Sequence, residues 1–329
     1  TSINNRKHRI AFINPNLYSE YPRPPLGLLS VATVCKAAGY DVIIIDANAL
    51  NLTPHEVANR CFNYDVVGIT AMTPTINEAV LIADAIWDKT IILGGVHASV
   101  FPNECARLGM FDKVVKGEGE SVILDILANL DSPYKVYNST DTDINLLPLP
   151  DYSMLDLSKY KAHYPHSVLL PWTTASTSRG CPYKCSFCFK AVSGAGNKGK
   201  GFSRMSAPRM IQLVSKLKAD HGIKDITFYD DIFTLNRTRV RHFCGQLIES
   251  KIKLTWTCES RVDMANLETL QLMKDAGCRM IYYGIESGNQ GILNSLNKDI
   301  SLEQVRHAVD MTHAAGIQAA GYFMLGCPG

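Results

Sequence analysis

The sequence predicts an α/β chain made of two parallel-sheet domains in tandem. Three observations carry this. Short apolar runs alternate with helical stretches through both halves of the chain. In the first half the runs lack the polar alternation of a half-wet antiparallel sheet, which implies a parallel sheet covered by helices on both faces. A polar stretch ending in Pro148-Leu-Pro-Asp-Tyr interrupts the series near its middle and reads as a linker. The expected boundaries are a first domain over residues 1–140, a linker over 141–170 and a second domain over 171–329, and 329 residues accord with two domains.

In the first half the expected strands are Ile10–Asn14, Val42–Asp46, Val66–Thr70, Ile91–Gly95 and Lys113–Lys116. Helices are expected at Leu26–Ala38, Pro54–Asn63, Thr75–Asp88, Pro102–Leu108 and Ser121–Leu130. An open, Rossmann-like parallel sheet of this kind binds ligands at the carboxyl ends of its strands. The first strand runs into a long proline-rich loop, Asn14-Pro-Asn16-Leu-Tyr-Ser-Glu-Tyr21-Pro-Arg-Pro-Pro-Leu-Gly-Leu28, that leads into a helix. The third ends Thr70-Ala-Met-Thr73, the fourth Gly94-Gly95-Val-His97-Ala98-Ser99 and the fifth Gly117-Glu118-Gly-Glu120. Glycines there let a backbone approach a large planar or phosphate-bearing ligand, and hydroxyls or a helix N-terminus bind a phosphate or amide. Taken singly, each piece also reads as an ordinary turn. No G-x-G-x-x-G follows the first strand, which argues against a dinucleotide site.

In the second half the expected strands are Thr173–Ser178, Asp225–Tyr229, Leu254–Cys258, Met280–Tyr283 and Gln318–Leu325. Helices are expected at Pro208–His221, Arg237–Ser250, Leu267–Ala276 and Leu302–Ala315. Strand–helix repetition with chemistry at the strand C-termini is the organisation of a (β/α) barrel. About five strands precede the end of the sequence at Gly326-Cys-Pro-Gly329. A half-built barrel leaves a raw sheet edge, so a barrel truncated at its C-terminus is expected.

Composition bounds the function. The chain is 46% hydrophobic and 19% charged with a formal net charge of +2, which makes no electrostatic case for nucleic acid or an anionic membrane. No apolar run is long enough to span a bilayer, and the polar start Thr-Ser-Ile-Asn-Asn-Arg-Lys-His-Arg is unlike a signal peptide. Ten cysteines are too sparse for a disulfide scaffold, and a cytoplasmic location is expected.

Three of those cysteines stand together in Arg-Gly-Cys181-Pro-Tyr-Lys-Cys185-Ser-Phe187-Cys188, a C-x3-C-x2-C run after the first strand of the second half. Three thiolates hold three irons of a four-iron cube and leave one iron open. A zinc half-site is the competing reading, but zinc wants a fourth Cys or His nearby, and the nearest downstream histidine is His221. Cys244, Cys258, Cys278 and Cys327 stand alone, and Cys327 reads as an incidental thiol.

The remaining strand ends carry further polar groups. The second ends Phe228-Tyr-Asp230-Asp231, and because adjacent strand side chains point opposite ways, one Asp faces the site while the other caps the next helix. The third ends Cys258-Glu259-Ser-Arg261, whose charges either engage a ligand or form a rim salt bridge. The fourth ends Gly284-Ile-Glu286-Ser287-Gly288. Tyr164, Trp172, Tyr229 and Tyr283 fall near the same mouth, either to stack a ring or to fill space. The Gly- and Lys-rich run from Ala191 to Arg204 is either a lid or a solvated loop.

The cysteine spacing, with Phe187 before its last member, resembles the signature of the radical S-adenosylmethionine (radical SAM, AdoMet) superfamily. The first-half pieces Pro24-Pro-Leu-Gly-Leu28, Asp65-Val-Val-Gly-Ile-Thr70, Gly94-Gly-Val-His-Ala98 and Gly117-Glu-Gly-Glu120 resemble the cobalamin-binding domain that precedes the barrel in one large group of that superfamily. The resemblance implies a Rossmann-like cobalamin (vitamin B12) domain followed by a partial (β/α)6 TIM-like barrel. It implies a [4Fe-4S] cluster on Cys181, Cys185 and Cys188, and AdoMet held by Phe187, Asp230, Asp231, Glu259, Arg261, Glu286, Ser287 and Gly288. It also implies cobalamin held by Asn16, Thr70, Thr73, Gly94, Gly95, His97, Ala98, Gly117, Glu118 and Glu120. The D-x-H-x-x-G run that supplies a cobalt-ligating histidine in other cobalamin proteins is absent from the first loop, so cobalamin is expected without a histidine on cobalt. Some relatives keep the domain without the cofactor.

The activity so implied is reductive cleavage of AdoMet to a 5′-deoxyadenosyl radical, hydrogen abstraction from an unactivated carbon, and methyl transfer from methylcobalamin. The expected partners are a small-molecule or natural-product-like substrate and a reductase or flavodoxin-type electron donor, with no nucleic acid. A radical oxidative cyclase or ring-rearranging enzyme, as in anaerobic tetrapyrrole ring formation, is the alternative within the same architecture. A non-catalytic iron–sulfur or cobalamin sensor is the alternative outside it.

Overall fold

Parallel ladders dominate the computed structural model, which describes residues 7–139, 142–161, 166–189 and 202–327. The chain divides into one unit of Thr1–Thr142 with Leu146–Tyr160 and a second of Asp143–Asn145 with Lys161–Gly329.

In the first unit, β1 (Arg9–Asn14), β2 (Asp41–Asp46), β3 (Val66–Thr70), β4 (Thr90–Gly94), β5 (Lys113–Lys116) and β6 (Val136–Asn138) form one sheet in the order β2-β1-β3-β4-β5-β6. Every pairing is parallel. The order reverses between β1 and β3, which makes their carboxyl ends the switch point where such sheets bind ligands. Alternate residues face opposite layers. Ile13, Ile45, Val67, Ile69 and Leu93 enter one core, while Ile10, Phe12, Val66 and Ile92 enter the other. Sequence reading missed β6, because Val136-Tyr-Asn has no pattern of its own and becomes a strand by pairing with Val114–Lys116. Residues 146–160, read as linker, pack within this unit. Thr33 Oγ1 accepts the Asp151 N–H at 3.0 Å, Lys36 reaches Asp151 at 2.7 Å, and Tyr160 donates to Asp46 at 2.7 Å.

The second unit holds β7 (Trp172–Ala175), β8 (Ser178–Arg179), β9 (Ser203–Arg204), β10 (Asp225–Phe228), β11 (Thr255–Ser260), β12 (Cys278–Glu286) and β13 (Gln318–Phe323). Five of them make a parallel sheet in the order β13-β12-β11-β10-β7, and β8 and β9 form a separate antiparallel pair. The sheet runs in sequence order, as one arc of a (β/α) barrel does. Its helix-facing side is anchored by Phe228, Phe233, Phe243 and Trp256, with ring centroids 5.1–6.2 Å apart. The expected first strand, Thr173–Ser178, breaks after Ala175, because Thr177 and Ser178 turn to bond a buried carboxylate described below. The short helix Gln290–Ser295 was also missed; it lies between β12 and the helix Leu302–Ala314. Of the run 191–204, only Phe202–Arg204 fall among the described residues, and Tyr164 lies outside them.

Gly277 marks the tightest turn into the sheet. Its φ is +95°, and a Cβ there would sit 2.0 Å from the Leu254 carbonyl oxygen. Left-handed backbone costs a residue bearing Cβ about 1–2 kcal/mol before any clash. Gly277→Ala is therefore expected to lower unfolding stability by more than about 2 kcal/mol, read as a fall in the urea midpoint of the barrel transition.

Candidate functional site

The cysteine loop leaves the carboxyl end of the first barrel strand and is held by its neighbours at both ends. At its start, Asp230 accepts from Thr177 N–H at 2.5 Å, Thr177 Oγ1 at 2.5 Å and Ser178 N–H at 3.1 Å. Arg239, in the helix Arg237–Glu249, bonds Asp230 at 3.3 Å and the Thr177 carbonyl at 3.0 Å. Asp230 has no exposure and Arg239 only 8%. The pair is sealed, and Arg239 also bonds the Phe233 carbonyl at 3.1 Å. Asp231, next in sequence, is exposed. The strand-end carboxylates thus separate into one that builds the loop and one that faces outward.

At its other end the loop docks on the segment after β12. Ser186 N–H donates to the Leu296 carbonyl at 2.9 Å, and Cys188 N–H to the Cys185 carbonyl at 3.1 Å. Cys185 is 8% exposed, while Cys181 and Cys188 are half-buried. Burial pushes the Cys185 thiol up, and Lys298 and Arg261 pull it back toward the thiolate. Among the described residues no three His, Cys, Asp or Glu side chains converge on one metal position. The donor chemistry nevertheless fits a cube held by three thiolates: three sulfurs lie on one loop, and two cations act on the buried one. Metal binding must strip the protons from such thiols.

Arg261, expected at AdoMet, is 4% exposed and committed elsewhere. It bonds both oxygens of Asp263 at 2.9 and 3.2 Å, the Lys298 carbonyl at 2.8 Å and Cys185 Sγ at 3.9 Å. Its guanidinium lies 3.6 Å from the Tyr183 ring centroid. Glu286 is 6% exposed, has φ +68° and bonds Lys298 Nζ at 2.6 Å. Ser287 Oγ accepts from Asn289 N–H at 3.1 Å, and Gly288 is exposed, with no protein atom within 4 Å of where a Cβ would project. Phe187 is 42% exposed, and Lys298 Nζ sits 5.7 Å from its ring centroid.

Glu259 lies in register with Tyr282 and accepts from Tyr322 at 3.1 Å, while Tyr282 and Tyr322 stack at 5.6 Å. Burial and then Glu259 push the Tyr322 phenol up. Among the aromatics expected at the mouth, Tyr283 turns to the helix side and bonds Thr312 at 2.9 Å, and Trp172 is buried with its indole on Thr227 at 3.1 Å. Sequence reading missed Lys298, which stands in a polar Asn-Lys-Asp run, and Thr177 and Arg239, whose roles arise only when distant strands meet.

In the first unit the strand ends gather a hydroxyl- and glycine-lined rim. Thr73 Oγ1 and His97 Nδ1 are 3.1 Å apart, and His97 lies against Phe101 with centroids 5.1 Å apart. Gly95 has φ +95°, and a Cβ there would fall 2.6 Å from Thr70 Oγ1. Ser99 Oγ accepts from Gly117 N–H at 3.0 Å, and Ser139 Oγ from Glu118 N–H at 2.7 Å. Gly94 ends β4 with open space beside it. Three expected contacts sit deeper. Ala98 belongs to the core, Glu120 is 8% exposed, and Asn16 is 3% exposed with its amide on Asn51 and its oxygen on Tyr18 N–H. The positive-φ glycines Gly95 and Gly117 answer the protein's own close approaches, to Thr70 and Ser139.

Residues 17–127 match the family model described as B12 binding domain, and residues 175–329 match the Radical SAM superfamily model. The "Uncharacterized methyltransferase PH0819" of Pyrococcus horikoshii is 32% identical over 93% of this chain and 70% of its own length. The anaerobic magnesium-protoporphyrin IX monomethyl ester cyclase of Rubrivivax gelatinosus is 26% identical over 97% of this chain and 62% of its own. Among solved structures, the cobalamin-dependent S-adenosylmethionine radical enzyme OxsB with aqua-cobalamin bound superposes with TM-score 0.80 at 19% identity. That match covers 96% of this chain and 49% of OxsB. The radical S-adenosylmethionine methyltransferase TsrM of Kitasatospora setae superposes with TM-score 0.76 at 18% identity, over 98% of this chain and 70% of TsrM. The chain thus spans from about half to 70% of the length of these relatives.

Removing one member of a buried ion pair leaves the other uncompensated, at a cost of about 3–5 kcal/mol. Arg239→Met is expected to lose that much stability, measured by chemical unfolding.

Proposed function

Because this chain belongs to the radical SAM superfamily, in the group that carries a B12-binding domain before the barrel, we propose that it catalyses radical methylation of an unactivated carbon on a small-molecule substrate. The observation that carries this reading is the C-x3-C-x2-C loop at the carboxyl end of β7, in one chain with a B12-type sheet. The family's cofactors are a [4Fe-4S] cluster, AdoMet and cobalamin; when bound they supply reductive AdoMet cleavage to a 5′-deoxyadenosyl radical and a transferable methyl group.

The protein's own residues hold and shield. Cys181, Cys185 and Cys188 ligate the cluster and leave one iron for AdoMet. Asp230 and Arg239 hold the root of the loop, so its direction does not depend on the ligand. Asp231, exposed at the second strand end, is the carboxylate of the pair that suits the methionine ammonium. Phe187 offers a half-open ring to adenine, and Ser287 and Gly288 offer a hydroxyl and an unobstructed backbone to the ribose. In the first unit, Thr70, Thr73, Gly94, Gly95, His97, Gly117 and Glu118 line the cobalamin rim. The first loop carries no histidine, so cobalamin would be held there without the histidine that the D-x-H-x-x-G run supplies in other cobalamin proteins. A cytosolic flavodoxin-type donor supplies the electron.

The relationship to the Rubrivivax cyclase supports a second reading, radical ring formation on the same machinery. Product analysis separates the two. S-adenosylhomocysteine formed together with 5′-deoxyadenosine indicates methyl transfer, and 5′-deoxyadenosine alone indicates cyclisation.

Anaerobically reconstituted protein is expected to carry about four irons per chain and to release 5′-deoxyadenosine from AdoMet with dithionite. Each of Cys181→Ala, Cys185→Ala and Cys188→Ala is expected to reduce both iron content and 5′-deoxyadenosine to background. Wild-type protein that holds iron and cleaves no AdoMet overturns the reading.

A further inference from the structure

Lys298 is a buried amine that no motif requires. Its side chain is 7% exposed, and its neighbours Asn297 and Asp299 both adopt left-handed backbone, with φ of +49° and +53°. Its partner Glu286 is left-handed as well, at φ +68°. Left-handed backbone at a non-glycine residue costs of order 1–3 kcal/mol and persists only where the surroundings enforce it. Three such residues converge here on one ion pair. Gly284 completes the arrangement, because a Cβ there would lie 2.7 Å from Lys298 Nζ and 2.8 Å from Glu286 Oε1. The strained backbone and the missing side chain together make room for a buried ammonium.

That ammonium belongs to the cysteine loop as much as to Glu286. The stretch ending at Lys298 receives the loop through the Leu296 carbonyl on Ser186 N–H. The Lys298 carbonyl accepts from Arg261, whose other nitrogen lies 3.9 Å from Cys185 Sγ. Lys298 Nζ itself lies 5.7 Å from the ring centroid of Phe187, which stands between Cys185 and Cys188 in the loop. A buried charge screened this poorly acts strongly on a neighbouring site.

We propose that Lys298, held by Glu286 and linked through its carbonyl to Arg261, is a positioning residue that sets the reduction potential of the cluster on Cys185. The inference rests on the cluster reading above. Reduction adds one electron from an external donor to the cluster and makes the site more negative, so a fixed cation against the cysteine loop favours the reduced form. Charge and hydrogen bonding around cluster sulfurs are among the terms that tune such potentials. Glu286 holds the ammonium in place and also opposes its field.

The test is a dithionite redox titration of the reconstituted 329-residue chain, followed by electron paramagnetic resonance of the reduced cluster, with iron content measured on each sample. Lys298→Met is expected to lower the potential by about 59 mV, tenfold in the one-electron equilibrium. Glu286→Gln is expected to raise it, and Lys298→Arg to restore it. Opposite signs from the two members of one ion pair are what a merely structural role would not produce. Shifts in the same direction, or both below about threefold in the equilibrium, overturn the proposal. If Lys298→Met fails to hold a cluster, Glu286→Gln decides alone, and a potential at or below wild type overturns it. Wild-type chain that takes up no cluster overturns the parent reading and this one with it, whereas loaded wild type with unmoved variants overturns only this one.

Discussion

The buried carboxylate of Asp230 is the interaction on which the barrel site depends. It accepts three hydrogen bonds from Thr177 and Ser178 while paired with Arg239. A charge with no exposure is tolerable only when every lone pair is met. Here the backbone that meets it is the turn between the end of β7 and the cysteine loop. The electrostatic demand of one side chain just past β10 therefore sets where the chain leaves β7, and with it the origin of the loop bearing Cys181, Cys185 and Cys188.

The far side of the loop obeys the same logic with the sign reversed. Arg261 stands 3.9 Å from the buried Cys185 sulfur and Lys298 stands 5.7 Å from the Phe187 ring of the same loop, and Asp263 and Glu286 hold the two cations there. Of the two, Arg261 is the better suited to a shared role, since its planar fork serves Asp263, a backbone carbonyl and an aromatic face at once. The loop is thus fixed at its root by a buried anion and at its docking end by buried cations.

The first unit works by a different constraint. Its strands are parallel and the sheet order reverses between β1 and β3, so the loops after β1, β3, β4 and β5 share one edge. Serines after β4 and β6 accept from backbone amides of the loop after β5, Ser99 from Gly117 and Ser139 from Glu118. The rim is a set of turns that support one another, which is why individually weak glycine signals in the sequence add up to a coherent edge.

The sequence by itself determined the two-sheet architecture, the succession of strands and helices through both halves and the position of the cysteine loop. These follow from local patterning: apolar runs at strand length, helical periods between them and a ligand spacing written in a few consecutive residues. What only the tertiary structure decided was the division of labour among charged groups. Asp230 and Asp231 are indistinguishable in sequence, yet one is sealed against Arg239 and the other is exposed. Arg261 is buried on Asp263 and the Lys298 carbonyl, 3.9 Å from Cys185 Sγ, and Lys298, which sequence reading passed over, is buried on Glu286. The β6 strand and the break after Ala175 were likewise invisible, because each exists through pairing with residues far away in the chain. Burial and partnership of a charge depend on which strands come together, and no window of neighbouring residues contains that information.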